Sequence, residues 1–406
     1  MPFVALPALL LAASTAGVPA YPRFELQART NLIVNDNGFN LPPGASFNSA
    51  TVDMNDAAQV TFEVLVVPGR DGESVWFGSG GIGELRCDGE NDLDAFISDP
   101  RVNAAGTLVW SQSGGALPGI YTCDPATGVE TRVTAGPIGA STWGSPDIND
   151  LGQIGYRAGF GSGQAWVSFA SGNYAFHATE QAIDVASPFN FLFTPAFDGV
   201  RRIAGQVRVA ASGPVAEHRE VRVFAADGTS TTVAVDNVGN AASPYNAFDN
   251  SVGLNDAGQV AFVGRLAAGN VRTVQRSDGA TTTEIARVGN AGLLEIEFFA
   301  PAINADGLVA FRGRDANGQA IFVGDGTTLR RVVGKAAIVP SDLGPAEIGQ
   351  NDASPVFGGG VAINARGDIA FTAALHPPGQ DQVEWGTGVY VAYAADPDPI
   401  FIDGFE

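Results

Sequence analysis

The sequence predicts an all-β fold, a seven-bladed β-propeller with four antiparallel strands per blade and the last blade closed by the N-terminal strand. Three observations carry this. A short motif, clearest at residues 302–311 as Ala-Ile-Asn-Ala-Asp-Gly-Leu-Val-Ala-Phe, returns at Asn55, Asn103, Asn149, Asn255, Asn304 and Asn364, with a worn copy at Asp198. The spacings of 48, 46, 49, 57, 49 and 60 residues are those of propeller blades. Each copy leads into further short apolar runs separated by turns, and a lone sheet of that kind buries both its faces only when others stand beside it.

The motif is turn chemistry followed by a strand. Asn opens a type I turn and bonds the backbone two residues on. Gly three residues later accepts positive φ and closes the hairpin. The apolar run that follows is hydrophobic at consecutive positions, so both faces of that strand are expected inside. In the sixth repeat, strands are expected at 299–303, 308–312, 319–323 and 329–333.

Taken in order, residues 1–20 read as a signal peptide, with an apolar run ending in Val18-Pro19-Ala20 and small residues at the −3 and −1 places of a cleavage after Ala20. Secretion or display at the cell surface follows. The run is too short and too Pro-broken to span a membrane. The propeller occupies 21–395. Residues 23–30 form a lone strand, and the last repeat lacks a fourth, so the first strand is expected to complete the seventh blade and hide its edge. Residues 396–406 are a Pro-rich linker and a short apolar, acidic tail that could serve as a sorting signal.

Cys87 and Cys123, the only cysteines, fall in the fourth strand of blade 1 and the third of blade 2. A disulfide between adjacent blades and two buried thiols are both open readings.

The Asn-x-x-Gly-x-x-Ala-Phe copies resemble the bacterial choice-of-anchor tandem-repeat proteins. The likeness spans about residues 50–395 and is sharpest in blades 5 to 7. Blade 1 has Ala58 in place of the Gly, blades 2 and 3 have Trp110 and Tyr156 in place of the Phe, and blade 4 departs most. The resemblance implies an exported or surface-attached protein with no assigned chemistry. The ending Phe401-Ile402-Asp403-Gly404-Phe405-Glu406 is similar to terminal tags of exported proteobacterial proteins.

Charge and motifs narrow the function. The net charge of −21, with Lys335 the single lysine, argues against nucleic acid and anionic membranes as partners. His177, His218 and His376 lie in three different blades without metal-ligand spacing, so no metal is expected. There is no phosphate-binding or dinucleotide fingerprint, so no cofactor is expected. Residues 159–163, Gly-Phe-Gly-Ser-Gly, have part of the look of a nucleophile elbow but sit on a hairpin. No catalytic residue is assigned.

A binding surface has the better case. The loops joining blades share one face with those joining strands 2 and 3, and the longest insertions are of these kinds. Residues 335–360 carry Asp342, Glu347 and Asp352. Residues 376–385 run from His376 to Trp385, and Trp143 lies in the connection between blades 2 and 3. These six are the candidate contacts for a protein or glycan ligand, with the tryptophans as stacking platforms. Two alternatives stand beside a non-catalytic binder. One is a secreted glycosidase or lyase, which needs two carboxylates roughly 5–10 Å apart on that face. The other is a structural surface component.

Overall fold

The computed structural model describes residues 17–30, 38–47, 51–65, 73–87, 96–350 and 355–395. It is all-β, with no helix among these residues. Seven antiparallel sheets stand in sequence, one per repeat. Blade 2 shows the plan: Phe96–Val102, Leu108–Ser113, Gly119–Asp124 and Val129–Thr134, each strand paired with the next. In blades 4, 5 and 6 the first strand breaks into two short pieces, Phe189–Leu192 with Ala196–Phe197, Tyr245–Phe248 with Gly253–Leu254, and Glu295–Ile296 with Ala302–Ile303. The expected unbroken run at 299–303 is therefore interrupted. Phe298 and Phe299 sit in a bend that turns out of the ladder.

Ring closure is as the sequence predicts. Arg23–Arg29 pairs antiparallel with Gly386–Tyr393, with Phe24 opposite Ala392, Leu26 opposite Tyr390 and Ala28 opposite Val389. This supplies the fourth strand of blade 7 and covers the edge that Gly386–Tyr393 would otherwise leave open. Val18, just before it, is buried in the same core, and the Ala395 amide donates to the Ala20 carbonyl at 2.7 Å. Most of the expected signal peptide, residues 1–16, and the tail at 396–406 lie outside the described residues.

Residues 335–360 are not the irregular insertion expected. Ile338–Ser341 and Gly344–Ile348 form a hairpin whose second strand pairs with the outer end of Ile369–His376. Three apolar residues, Val339, Ala346 and Ile348, are buried there, which is what draws the insertion onto the blade. Arg29 ties this hairpin to the closing strand. Its guanidinium is fully buried and grips both Asp342 carboxylate oxygens, at 2.8 and 2.9 Å, while donating to the Trp385 carbonyl at 2.8 Å.

The motif's turn repeats in all seven blades. The residue three after each Asn has positive φ: Ala58, Gly106, Gly152, Arg201, Gly258, Gly307 and Gly367. Its amide donates to the carbonyl of the first turn residue, as from Gly152 to Asn149 at 2.9 Å. The Asn side chain then reaches across the gap between blades. Asn55 donates to the Asn103 carbonyl at 2.9 Å, Asn103 to that of Asn149 at 3.2 Å, Asn255 to that of Asn304 at 2.8 Å, and Asn304 to that of Asn364 at 3.1 Å. Asp198 has no amide to give. There Arg202 takes over, bonding the Asp198 carboxylate at 2.6 Å and the Asp256 carbonyl at 2.8 Å. At the closing gap the Ala365 amide donates to the Asp56 carboxylate at 2.8 Å. The motif Asn side chains and Asp198 are buried and hydrogen-bonded, and these contacts hold neighbouring blades in register.

Aromatic residues fill the sheets. Phe62, Trp110, Phe311 and Phe371 stand opposite Trp76, Tyr121, Phe322 and Tyr390 on the third strand, and all four pairs stack at centroid distances of 4.9–5.9 Å. Blade 4 has Gly205 at the aromatic place, and Trp166 of blade 3 occupies the space. A Cβ on Gly205 would lie 2.5 Å from the Trp166 ring. Cys87 and Cys123 are joined by a disulfide inside the core between blades 1 and 2, with Val75, Leu108 and Trp110 around it.

Candidate functional site

The motif has a second regularity, two residues before the Asn. In the seven repeats this place holds Asp53, Arg101, Asp147, Ala196, Gly253, Ala302 and Ala362. All seven line one axial cavity of about 390 Å³ to which every blade contributes. The innermost strands run beside the axis, and the turn fixes which residue of each faces it. The result is a ring with two unlike arcs. Blades 1 to 3 present carboxylate, guanidinium and carboxylate. Blades 4 to 7 present only small apolar groups.

Hydrogen bonds set the charged arc. One Asp53 carboxylate oxygen accepts from the Val102 amide of the next blade at 2.9 Å. Asp147 accepts from the Ile148 amide at 2.9 Å. Burial in the narrow channel pushes the Asp147 carboxyl up to about 7. The Arg101 guanidinium opposes that rise and the neighbouring Asp53 adds to it.

At one mouth of the cavity the bends of blades 5 and 6 meet. Asp249 pairs with Arg272, and burial raises its carboxyl above the usual range against the pull of that guanidinium. Phe298 is 60% exposed and Phe299 is 38% exposed. The Arg272 guanidinium lies 5.6 Å from the Phe298 ring centre, and that of Arg312 lies 3.9 Å from Phe299. Arg312 is held in turn by Glu297 at 2.6 Å. Two large apolar rings thus stand at the rim of a polar cavity, each braced from one side by an arginine.

The six residues singled out from the sequence are placed elsewhere. Trp143 is in the first strand of blade 3, Thr142–Ile148, not in a connection. It is buried at 9% exposure, with its ring N–H donating to the Gly136 carbonyl at 3.0 Å. An indole that fills core volume must satisfy its one donor, and a nearby carbonyl does so. Asp342, Glu347, His376 and Trp385 are brought together on blade 7. Asp342 is engaged by Arg29, and Glu347 accepts from the Gly379 amide at 2.8 Å. His376 is buried at 3%, with Nδ1 at 2.8 Å from the Pro377 carbonyl. Trp385 packs against the blade 7 core. Asp352 lies outside the described residues.

No single residue type marks the cavity places, which hold Asp, Arg, Ala or Gly from blade to blade, so the motif itself does not point to them. Reading each copy two places back would have exposed the ring. Among the described residues no group of three or more His, Cys, Asp or Glu could hold a metal ion, and no helix is long and apolar enough to cross a membrane.

A ring of seven four-stranded sheets closed by its first strand makes the molecule a seven-bladed β-propeller. Within that class, residues 170–401, more than half of the chain, match the model of a family of unknown function, DUF7453, and the chain belongs to this family. A comparison with curated proteins found no match. Among solved structures, the chain is similar to the β-propeller domain of the Trilobed protease from Pyrococcus furiosus, described as having an open velcro topology. The identity is 12%, the TM-score 0.54, and the match covers 84% of this chain and 95% of that one. A puromycin-hydrolyzing peptidase from Mycobacterium tuberculosis matches at 13% identity and a TM-score of 0.50, over 84% of this chain and 52% of the peptidase. The chain thus spans about half the length of that enzyme. Identities this low establish a shared fold and nothing about activity.

Proposed function

We propose that this protein is an exported, non-catalytic propeller that binds a small ligand, or the end of a larger one, in its axial cavity. The signal-like N-terminus and the likeness of its repeats to choice-of-anchor proteins support export. The observation that carries the binding site is the two-armed ring at the axis. Seven blades converge on it, three with charged groups and four with small apolar ones at the ring places, and the volume lies within the roughly 300–1,000 Å³ typical of ligand sites. The blade 7 residues read from sequence serve the fold in this reading, through the latch and the hairpin.

The test has two parts. Fractionation and N-terminal mass analysis of the expressed chain should find it outside the cytoplasm and cut after Ala20. A chain retained inside with Val18 still attached refutes export. A mixed library of saccharides, peptides and metabolites should raise the unfolding temperature of wild type but not of Ala302→Phe, which plugs the cavity. A hit that survives the plug refutes the axial site.

A second reading rests on Asp147. A carboxyl held near neutrality beside Asp53 has the character of a general acid in a two-carboxylate hydrolase. Hydrolysis of a fluorogenic glycoside by wild type, abolished in Asp147→Asn, would establish it. Absence of turnover across such substrates would remove it.

A further inference from the structure

We propose that the axial site takes the end of a neutral glycan, one ring inserted between the two arcs and the next stacked on Phe298. The inference rests on the axial-site reading and names its ligand class.

The argument is one of matching surfaces. An anion entering the cavity meets Asp53 and Asp147, within a protein of net charge −21. A compact cation meets the guanidinium of Arg101 on the same arc. A neutral ligand carrying hydroxyls suits both signs, because each hydroxyl donates to a carboxylate and accepts from a guanidinium. The ring places of the facing arc hold Ala196, Gly253, Ala302 and Ala362, with Asp249, Asn250 and Ser251 also lining the cavity, so a ligand with both hydroxyls and an apolar side matches it. A pyranose ring has this division, hydroxyls around its edge and C–H groups on its faces.

The rim makes the same demand. Phe298, 60% exposed, offers a ring to solvent while Arg272 supports it from behind. With Phe299 beside it, it forms an exposed aromatic patch at the cavity mouth, and an apolar patch rimmed by polar groups marks a ligand groove. The C–H face of a second sugar ring can cover it, and a single ring inside the cavity cannot reach out to do so. The site therefore favours a chain end over a monosaccharide.

The test is calorimetric titration of the full-length protein with neutral oligosaccharides (malto-, cello- and chito-oligomers), oligogalacturonate and a panel of short peptides. At least one neutral series should bind, more tightly as a trimer than as a monomer. Phe298→Ala should weaken that binding roughly tenfold, the scale of one aromatic stack. Oligogalacturonate should bind at least about tenfold more weakly, and Ala302→Phe should abolish binding. Unchanged melting curves must accompany each variant. Failure of Ala302→Phe to fold would pass its role to Ala362→Leu on the same arc. Peptide binding that the plug removes, without glycan binding, overturns the glycan and leaves the axial site standing. Glycan binding indifferent to Phe298→Ala overturns the stacked geometry. No plug-sensitive ligand of any kind overturns both readings.

Discussion

Removing the Asp342 carboxylate should loosen the ring at its seam. Arg29 has no exposed surface, and both oxygens of Asp342 accept from it in a fork geometry, 313 residues away in sequence. Asp342→Ala takes the carboxylate fork from a charged guanidinium inside the protein, which keeps the Trp385 and Thr30 carbonyls among its acceptors, at 2.8 and 3.3 Å. Breaking a buried ion pair from one side costs about 3–5 kcal/mol. The two carbonyls retained by Arg29 and the partial exposure of Asp342, 18% of its side chain, lower the expected cost to ~2–4 kcal/mol. Arg29→Met should cost a similar amount, because Asp342 and the two carbonyls lose their donor. The double variant, Arg29→Met with Asp342→Leu, should be clearly more stable than the sum of the two losses, since no charge is left stranded. Urea unfolding gives the three free energies. Hydrogen exchange gives the location, with faster exchange expected along Arg23–Arg29 in both single variants. A loss below about 1 kcal/mol for Asp342→Ala, or strict additivity in the double variant, would refute the latch.

Three other outcomes follow from the same structure. Gly152→Ala meets no atom within 4 Å but adopts φ of +70°, so it should cost about 1 kcal/mol of backbone strain net of unfolded-state entropy, whereas Gly155→Ala, whose Cβ would lie 2.3 Å from Phe197 of blade 4, should cost ~2–3 kcal/mol in chemical denaturation. The Asp147 carboxyl, raised to about 7 against an ordinary 3.8, favours folding fully only below about pH 4, and that stability is lost as pH rises through 7. Asp147→Asn should therefore match wild type near pH 4 and exceed it by ~2–4 kcal/mol near pH 8, and equal pH profiles would refute the assignment. Replacing both Cys87 and Cys123 by Ser opens a loop of 36 residues and should cost about 3–4 kcal/mol, read as the difference in urea midpoint between oxidised wild type and the variant.

Much of the fold was legible because its determinants are local. Asn and Gly at fixed offsets dictate the same turn wherever they occur, even where Ala58 or Arg201 must adopt the strained φ. The apolar run after each turn identifies the buried second strand, and the missing strand of blade 7 points to Arg23–Arg29. The candidate site was less legible. Trp143 and Trp385 looked like platforms because residue type does not say which side of a sheet a ring lies on. Phe299 reads as the start of a strand at 299–303, because large aromatics are usually buried, and Phe298 lies just before it. Only the bend between Ile296 and Ala302 turns them to the rim.

The chain alone determines the number of sheets, the turn that joins the first two strands of each, and the partner of the opening strand, since all three follow from short-range pattern and from counting. Tertiary structure decided what the ring encloses and what fastens it. Asp53, Arg101 and Asp147 become one surface when blades 1 to 3 pack side by side, and Arg29 meets Asp342 only after seven blades have turned through a full circle. Proximity between residues so far apart in sequence is a property of the closed ring and of no segment within it.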